Sequence, residues 1–187
     1  MTRTRSIVLF LAWISLANLA VSAAQQAGGE YQAKARFLAN APGFVEWPSS
    51  GTQSPGTTLL ICVHGDFSFG TALAEQTRGT LVRGRHLAVK WARAEQDLQG
   101  CQVLFVSRSA AKRYQRVLQV VKDGGSLTIG EDPEFLKTGG MVSLESTDRG
   151  LTFDVNMDAV QEGRLKISSQ LLSLARHVFR GSESARG

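Results

Sequence analysis

Cysteine and histidine are scarce in this sequence: Cys62 and Cys101 are the only cysteines, and His64, His86 and His177 the only histidines. His86 and His177 stand far from any carboxylate at ligand spacing, so no zinc or calcium site is legible and no cofactor is implied. Charge of one sign is also in short supply. With 21 Lys and Arg against 16 Asp and Glu, the formal charge is +5, too small an excess to argue for a nucleic-acid partner. No internal repeat or low-complexity block is present, which removes solenoids and repeat arrays. The one stretch that could cross a membrane, Ser6 to Val21, holds roughly 16 residues where about 20 are wanted, and it includes Ser15 and Asn18.

That stretch reads instead as a secretory signal. Arg3 and Arg5 precede it without an acid, and Val21, Ser22, Ala23 and Ala24 close it with small residues, the order of a peptide cleaved near Ala23 or Ala24. Residues 1–24 are therefore expected to be removed and the mature chain to work in the periplasm or its equivalent. About 163 residues remain, enough for one domain with its own core, placed at 30–180 and followed by a flexible tail at 181–187. Losing two arginines lowers the charge to +3, mildly basic. In an oxidising compartment the isolated pair Cys62 and Cys101 most simply forms one disulfide. A reactive thiol or a metal ligand is the competing reading.

Tyr31, Lys34, Ala35 and Leu38 have helical spacing, and Pro42 and Gly43 stop the segment after about three turns. Thr58 to Val63 is a continuous apolar run, the mark of a strand buried on both faces. It breaks at Gly65 and Asp66, the latter placed as N-cap of a helix through Leu73. Further strands are expected at Leu87–Trp91, Cys101–Val106 and Leu127–Ile129. Ser107 or Ser109 would cap a helix with an apolar stripe at Ala110, Tyr114, Val117, Leu118 and Val121, and Asp132, Pro133, Phe135 and Leu136 fit a short helical turn. Met141–Leu144 and Leu151–Val155 read as a hairpin, and Ser169–Phe179 as a last helix burying Leu171, Leu172, Leu174, Ala175 and Val178. Strands alternating with helices predict an α/β fold: a mostly parallel sheet flanked by helices on both faces, ending in an antiparallel hairpin and a terminal helix. The two cysteines then fall on neighbouring strands at similar depth, as a disulfide requires.

Chemistry is thin. Cys62, His64 and Asp66 alternate along one strand and so share a face, offering a nucleophile, a base and an orienter. A disulfide at Cys62 would cancel that reading, leaving His64 bonded to backbone at a strand end. Gly65 to Gly70 has phosphate-loop spacing but continues with Thr71 and Ala72 where Lys and Ser or Thr are needed, so no nucleotide site follows. Glu131 and Asp132 precede a helical turn and complement its dipole. Lys112, Arg113 and Arg116 form a small basic face that could make a weak membrane-surface contact. Trp47 and Trp91 are candidate aromatic contacts for a partner. A parallel sheet also offers a crevice where its strand order switches, here lined by Gly65, Asp66 and Ser107.

Five segments in order along the mature chain carry a resemblance: Lys34-Ala-Arg-Phe-Leu, Phe44-Val-Glu-Trp-Pro48, Leu60-Ile-Cys-Val-His-Gly-Asp66, Gly100-Cys-Gln-Val-Leu-Phe-Val106, and the block from Gly139-Gly-Met through Phe153-Asp-Val-Asn156 to Leu165-Lys-Ile-Ser-Ser169. They resemble the YfiR family of periplasmic repressors of a membrane-bound diguanylate cyclase. The resemblance implies an α/β domain, a homodimer, and action by protein contact rather than catalysis, in cyclic di-GMP signalling. It matches Cys62 and Cys101 to the family's disulfide, while a second pair found in some members is missing. Pro42 and Gly43 also interrupt a helix that relatives continue. By the same carry-over, Phe153, Asp154 and Val160, with Trp47, are partner-binding candidates. The alternatives are a periplasmic small-molecule binding module at the crevice and a thiol-dependent enzyme using Cys62.

Overall fold

The computed structural model describes residues 28–48, 57–66, 68 and 70–181. The expected signal peptide lies outside them, as does the expected tail apart from Gly181. Helix α1 runs over 28–40, and Pro42 converts its end into a 3-10 turn, Ala41–Phe44, as the fixed φ and missing N–H of proline require. Strand β1 (Val45–Glu46) follows. The parallel strands are β2 (Thr58–His64), β4 (Arg85–Ala92), β5 (Val103–Val106) and β6 (Leu127–Gly130), alternating with α2 (Gly70–Thr77), α3 (Tyr114–Val121) and α4 (Pro133–Lys137). The short strand β3 (Leu81–Val82) pairs antiparallel with β4. Strands β7 (Val142–Thr147) and β8 (Gly150–Asn156) form the expected antiparallel hairpin. The chain closes through α5 (Met157–Glu162), β9 (Lys166–Ile167), α6 (Ser169–Leu172) and β10 (His177–Phe179).

Eight strands form one sheet in the order β10-β8-β7-β6-β5-β2-β4-β3, while β1 and β9 make a separate two-stranded ladder. The central strands explain their continuous apolar runs by facing two cores. Leu59, Ile61, Val63, Val103, Phe105, Leu127 and Ile129 point to one side, where residues of α1, α5 and α6 complete the larger core. Cys62, Leu104 and Val106 point to the other, against Ala110, Tyr114, Val117, Val121 and Phe135. The alternation is that of any strand, and burying both faces is what parallel sheets require. Tyr114 and Phe135 meet edge to face with ring centroids 4.9 Å apart.

Some expectations are corrected. Asp66 does not cap a helix: α2 begins at Gly70, and the Asp66 carboxylate accepts instead from the Ser68 N–H and hydroxyl, a local Asx arrangement that competes with capping. Ser107 makes no side-chain cap either, because its hydroxyl is taken by the Asp66 N–H. Cys101 lies just before β5, not in it.

The largest difference is at the end of the chain. A helix opens at Ser169, capped by the Ser168 hydroxyl, but it closes at Leu172, and Leu174 is 71% exposed. Residues His177–Phe179 pair with Asp154–Asn156 as a parallel strand. The Leu171, Leu172, Leu174 spacing suits a helix in isolation. The open edge of β8 offers ladder hydrogen bonds, and Asp154 offers a charge, neither of which a helix could use.

Candidate functional site

Strand β2 is the pivot of the sheet: the chain passes from β2 to β4 on one side, then returns to place β5 on the other. The connections leaving β2 and β5 therefore diverge at their carboxyl ends, where α/β folds form a crevice. Here the β2 and β5 exits stay close together. The Ser107 hydroxyl accepts from the Asp66 N–H at 2.7 Å and shares a hydrogen bond of 2.7 Å with Ser109, while the Ser107 N–H donates to the His64 carbonyl at 2.9 Å. Gly65 makes this approach possible. Its φ is +105°, and a Cβ there would lie 2.2 Å from the Ser107 oxygen, so both backbone and space demand glycine.

Helix α1 lies across this crevice and delivers Lys34, whose side chain is only 8% exposed. Its ammonium pairs with Glu30 one turn earlier and with Glu131, 97 residues later, at 2.7 Å. The other Glu131 oxygen accepts from the Arg108 N–H at 2.7 Å. Burial alone would lower the Lys34 pKa, but its hydrogen bonds to Glu131 and Glu30, with their charges, hold it above the ordinary lysine value. The hydrogen bond from Lys34 in turn holds Glu30 below the usual carboxylate range, against the opposing effect of burial. Asp132 caps α4 through the Phe135 N–H and accepts from the Tyr114 hydroxyl at 2.9 Å. Burial first, then that bond, push the Tyr114 pKa upward. The pocket so enclosed has a volume of about 230 Å³ and is lined by Glu30, Tyr31, Lys34, Asp66, Ser68, Ser107, Arg108 and Glu131.

From within β2, Cys62 forms a disulfide with Cys101, two residues before β5, their α carbons 5.7 Å apart, inside the range that geometry allows. The Gln102 side chain reinforces it by accepting from the Leu60 N–H at 2.6 Å. With its sulfur bonded to Cys101, Cys62 offers no thiolate to act as a nucleophile. His64, sharing that face, is 2% exposed and uses Nδ1 with the Ala92 carbonyl at 2.9 Å, the backbone-bonded role the sequence suggested.

A third polar cluster joins the hairpin to the chain's end. Asp154 is 5% exposed and accepts from the Arg176 guanidinium at 3.0 and 2.6 Å and from the His177 N–H at 3.2 Å. Arg176 also pairs with Glu145. Burial would raise the Asp154 pKa, but Arg176 and His177 outweigh it and hold it low. Of the other partner candidates, Phe153 lies in the larger core with its ring 5.0 Å from that of Phe37, Val160 is fully buried, and Trp47 is half-buried beside them. Trp91 is also half-buried. Lys112 and Arg113 are exposed on the 3-10 turn Arg108–Arg113 and Arg116 on the following α3, where it pairs with Glu95 at 2.6 Å.

From sequence, Lys34 had only a place in the helical spacing of α1 and Glu131 only a dipole role, where the structure pairs Glu131 with Lys34 and the Arg108 N–H, and Arg176 had no role. A signal existed for the first, since a lysine inside the apolar stripe of α1 has to find a partner in the interior. Nothing local points to Glu131 as that partner.

The family model described as YfiR/HmsC-like matches residues 31–176. Among solved structures, a conserved domain protein from Vibrio cholerae O1 biovar eltor superposes with a TM-score of 0.51 at 13% identity, over 64% of this chain and 54% of that one. An ABC domain from Streptococcus pneumoniae, crystallised with L-Trp, superposes at 0.54 and 10% identity, over 78% and 60%. Likenesses at these identities are of fold. The chain spans between half and two thirds of the length of those two proteins. Among curated proteins, none matches.

Proposed function

The chain belongs to the YfiR/HmsC-like family, and from that membership we propose that it is a periplasmic regulatory protein that binds the periplasmic domain of a membrane diguanylate cyclase and holds it inactive. The family match over residues 31–176 carries the reading. The Cys62–Cys101 disulfide suits it, because such bonds persist in oxidising compartments, and no helix among the described residues is long and apolar enough to cross a membrane. A signal peptide cleaved near Ala23 or Ala24 delivers the domain.

The partner surface in this reading lies around the second hairpin strand. Asp154 organises Arg176 and His177 at the sheet edge, Phe153 and Val160 belong to the core behind it, and Trp47, packed against the same core, is the aromatic candidate. The working unit is a homodimer that acts by contact, without turnover. The experiment is deletion of the gene with measurement of cyclic di-GMP, paired with affinity capture from solubilised inner membranes. The expected result is a rise in cyclic di-GMP and recovery of a cyclase. Unchanged cyclic di-GMP with no signalling enzyme captured sinks the proposal.

A further inference from the structure

We propose that the side of the molecule formed by β4, the 3-10 turn Glu95–Leu98 and α3 docks on an anionic phospholipid membrane, its lysines and arginines meeting headgroup phosphates. The inference shares only the expected export with the regulatory reading and needs no cyclase.

The small net charge of the chain conceals a strong division. Residues 76–122 hold ten Lys and Arg against two acids, Glu95 and Asp97. The rest of the expected mature chain holds nine against fourteen. The division follows the sheet: the basic stretch contains β3, β4 and β5 toward one edge, while the hairpin and β10 make the other. A single exposed charge is satisfied by water. An excess of eight on one side sustains a potential that draws a surface of opposite sign.

The fold gathers these charges. Lys90 is in register with Cys62, so its side chain leaves the sheet on the face against which Tyr114, Val117 and Val121 pack. Arg93 follows the end of β4, and the turn after it is joined to α3 by Glu95 and Arg116 at 2.6 Å. Lys112 and Arg113 are exposed just before α3 and Lys122 just after it. Both acids are engaged locally, Glu95 by Arg116 and Asp97 by the N–H groups of Arg93 and Ala94. Among the described residues, no ion pair holds Lys90, Arg93, Lys112, Arg113 or Lys122.

The chemistry of this face selects lipid over a protein partner. Its aromatic rings are turned inward: Phe105 and Tyr114 are buried, and Trp91 packs against the core on the opposite side of the sheet. The face therefore lacks the aromatic anchors of protein interfaces and carries lysines, which such interfaces avoid. Mobile headgroups can follow long, separate side chains, and each Lys or Arg adds to the attraction. Helix α3 does not insert, because its apolar stripe is buried against the sheet. The attachment is therefore electrostatic, reversible and weakened by salt.

The test is sedimentation of the mature protein with vesicles of phosphatidylcholine alone and of phosphatidylcholine mixed with phosphatidylglycerol. Lys112→Glu with Arg113→Glu reverses two charges on the face, and Arg149→Glu with Lys166→Glu reverses two exposed ones elsewhere. The expected result is binding to the phosphatidylglycerol vesicles alone, weakened about tenfold or more between about 50 and about 500 mM salt. The first double variant should weaken it about tenfold or more as well, and the second should change it little. The lipid and salt dependence of the unaltered protein gives the answer even where a variant fails to fold. Absent binding at low salt, equal binding to both kinds of vesicle, or equal loss in the two double variants overturns the proposal. Binding of soluble poly-L-glutamate without binding to vesicles also overturns it, since the face would then take an acidic protein.

Discussion

Strands β2 and β5 are tied together twice, by opposite means. One tie is covalent and lies in an apolar layer, running from Cys62 within β2 to Cys101 just before β5, beside Leu98, Leu104 and Tyr114. The other, at the carboxyl end, is polar: Ser107 bridges to Asp66 and Ser109, while Lys34 and Glu131 anchor α1 over the gap. A covalent tie resists pH, salt and ligands alike, while a polar one can be rearranged by each of them. The difference assigns rigidity to the apolar layer on one face of the central strand pair and responsiveness to its carboxyl end.

Breaking the covalent tie has the largest expected effect. Replacing both cysteines by alanine opens a loop of sequence separation 39, for which the chain-entropy argument allows about 4 kcal/mol as an upper figure. At this chain length that corresponds to a fall in Tm of roughly 10 °C, read by calorimetry. Reducing the unaltered protein is expected to reproduce the fall. Equal stability of the reduced and oxidised forms would remove the rigidity argument.

Lys34→Met attacks the polar tie. It leaves the Glu131 carboxylate, 15% exposed in its side chain, without a cation. Breaking a buried pair costs up to several kcal/mol, and with partial solvent access about 2 kcal/mol is expected. The double variant Lys34→Met with Glu131→Gln should recover part of the loss, measured by denaturant unfolding. Additive losses would mean that the pair is not coupled.

Ser107→Ala is a gentler probe, removing one acceptor from the Asp66 N–H. About 1 kcal/mol is expected, accompanied by faster hydrogen exchange at Asp66 and not at Leu104.

The two ties should also separate by pH. The folded pKa values of Glu30 and Asp154 lie below the ordinary carboxylate value, so each contributes stability that is present above about pH 4 and lost as pH falls through the folded value. Acidification should therefore loosen the ends of the chain first. Amides of α1 and of His177–Phe179 are expected to lose exchange protection before those of β2 and β5. Uniform loss across the sheet would erase the distinction.

Much of this arrangement could be read from sequence, and the reasons are local. The runs at Leu59–Val63 and Val103–Val106 are too apolar to be half-buried, and Pro42 ends a helix wherever it stands. The short helical turn at Pro133 and Phe135 formed as expected, and Met141–Leu144 with Leu151–Val155 fell in an antiparallel hairpin, its paired strands reaching further, to Thr147 and Gly150. The expected export argued for the pairing of Cys62 and Cys101, and the two form the disulfide. The misreadings arose where two local structures were nearly equal in merit. Residues 169–179 have helical spacing, yet an open strand edge and Asp154 drew His177–Phe179 into the sheet. Asp66 could cap a helix or fold onto Ser68, and the position of Ser107 favoured the second.

The sequence by itself determined the strand and helix alternation and the pairing expected of Cys62 and Cys101, because composition, periodicity and spacing act over short range. Only the tertiary structure decided which charges meet. Lys34 finds Glu131 across 97 residues, Arg176 finds Asp154 across 22, and Asp66 is left without a cation among the described residues. Such pairings depend on which loops the strand order brings together at one end of the sheet, and no local pattern encodes that order.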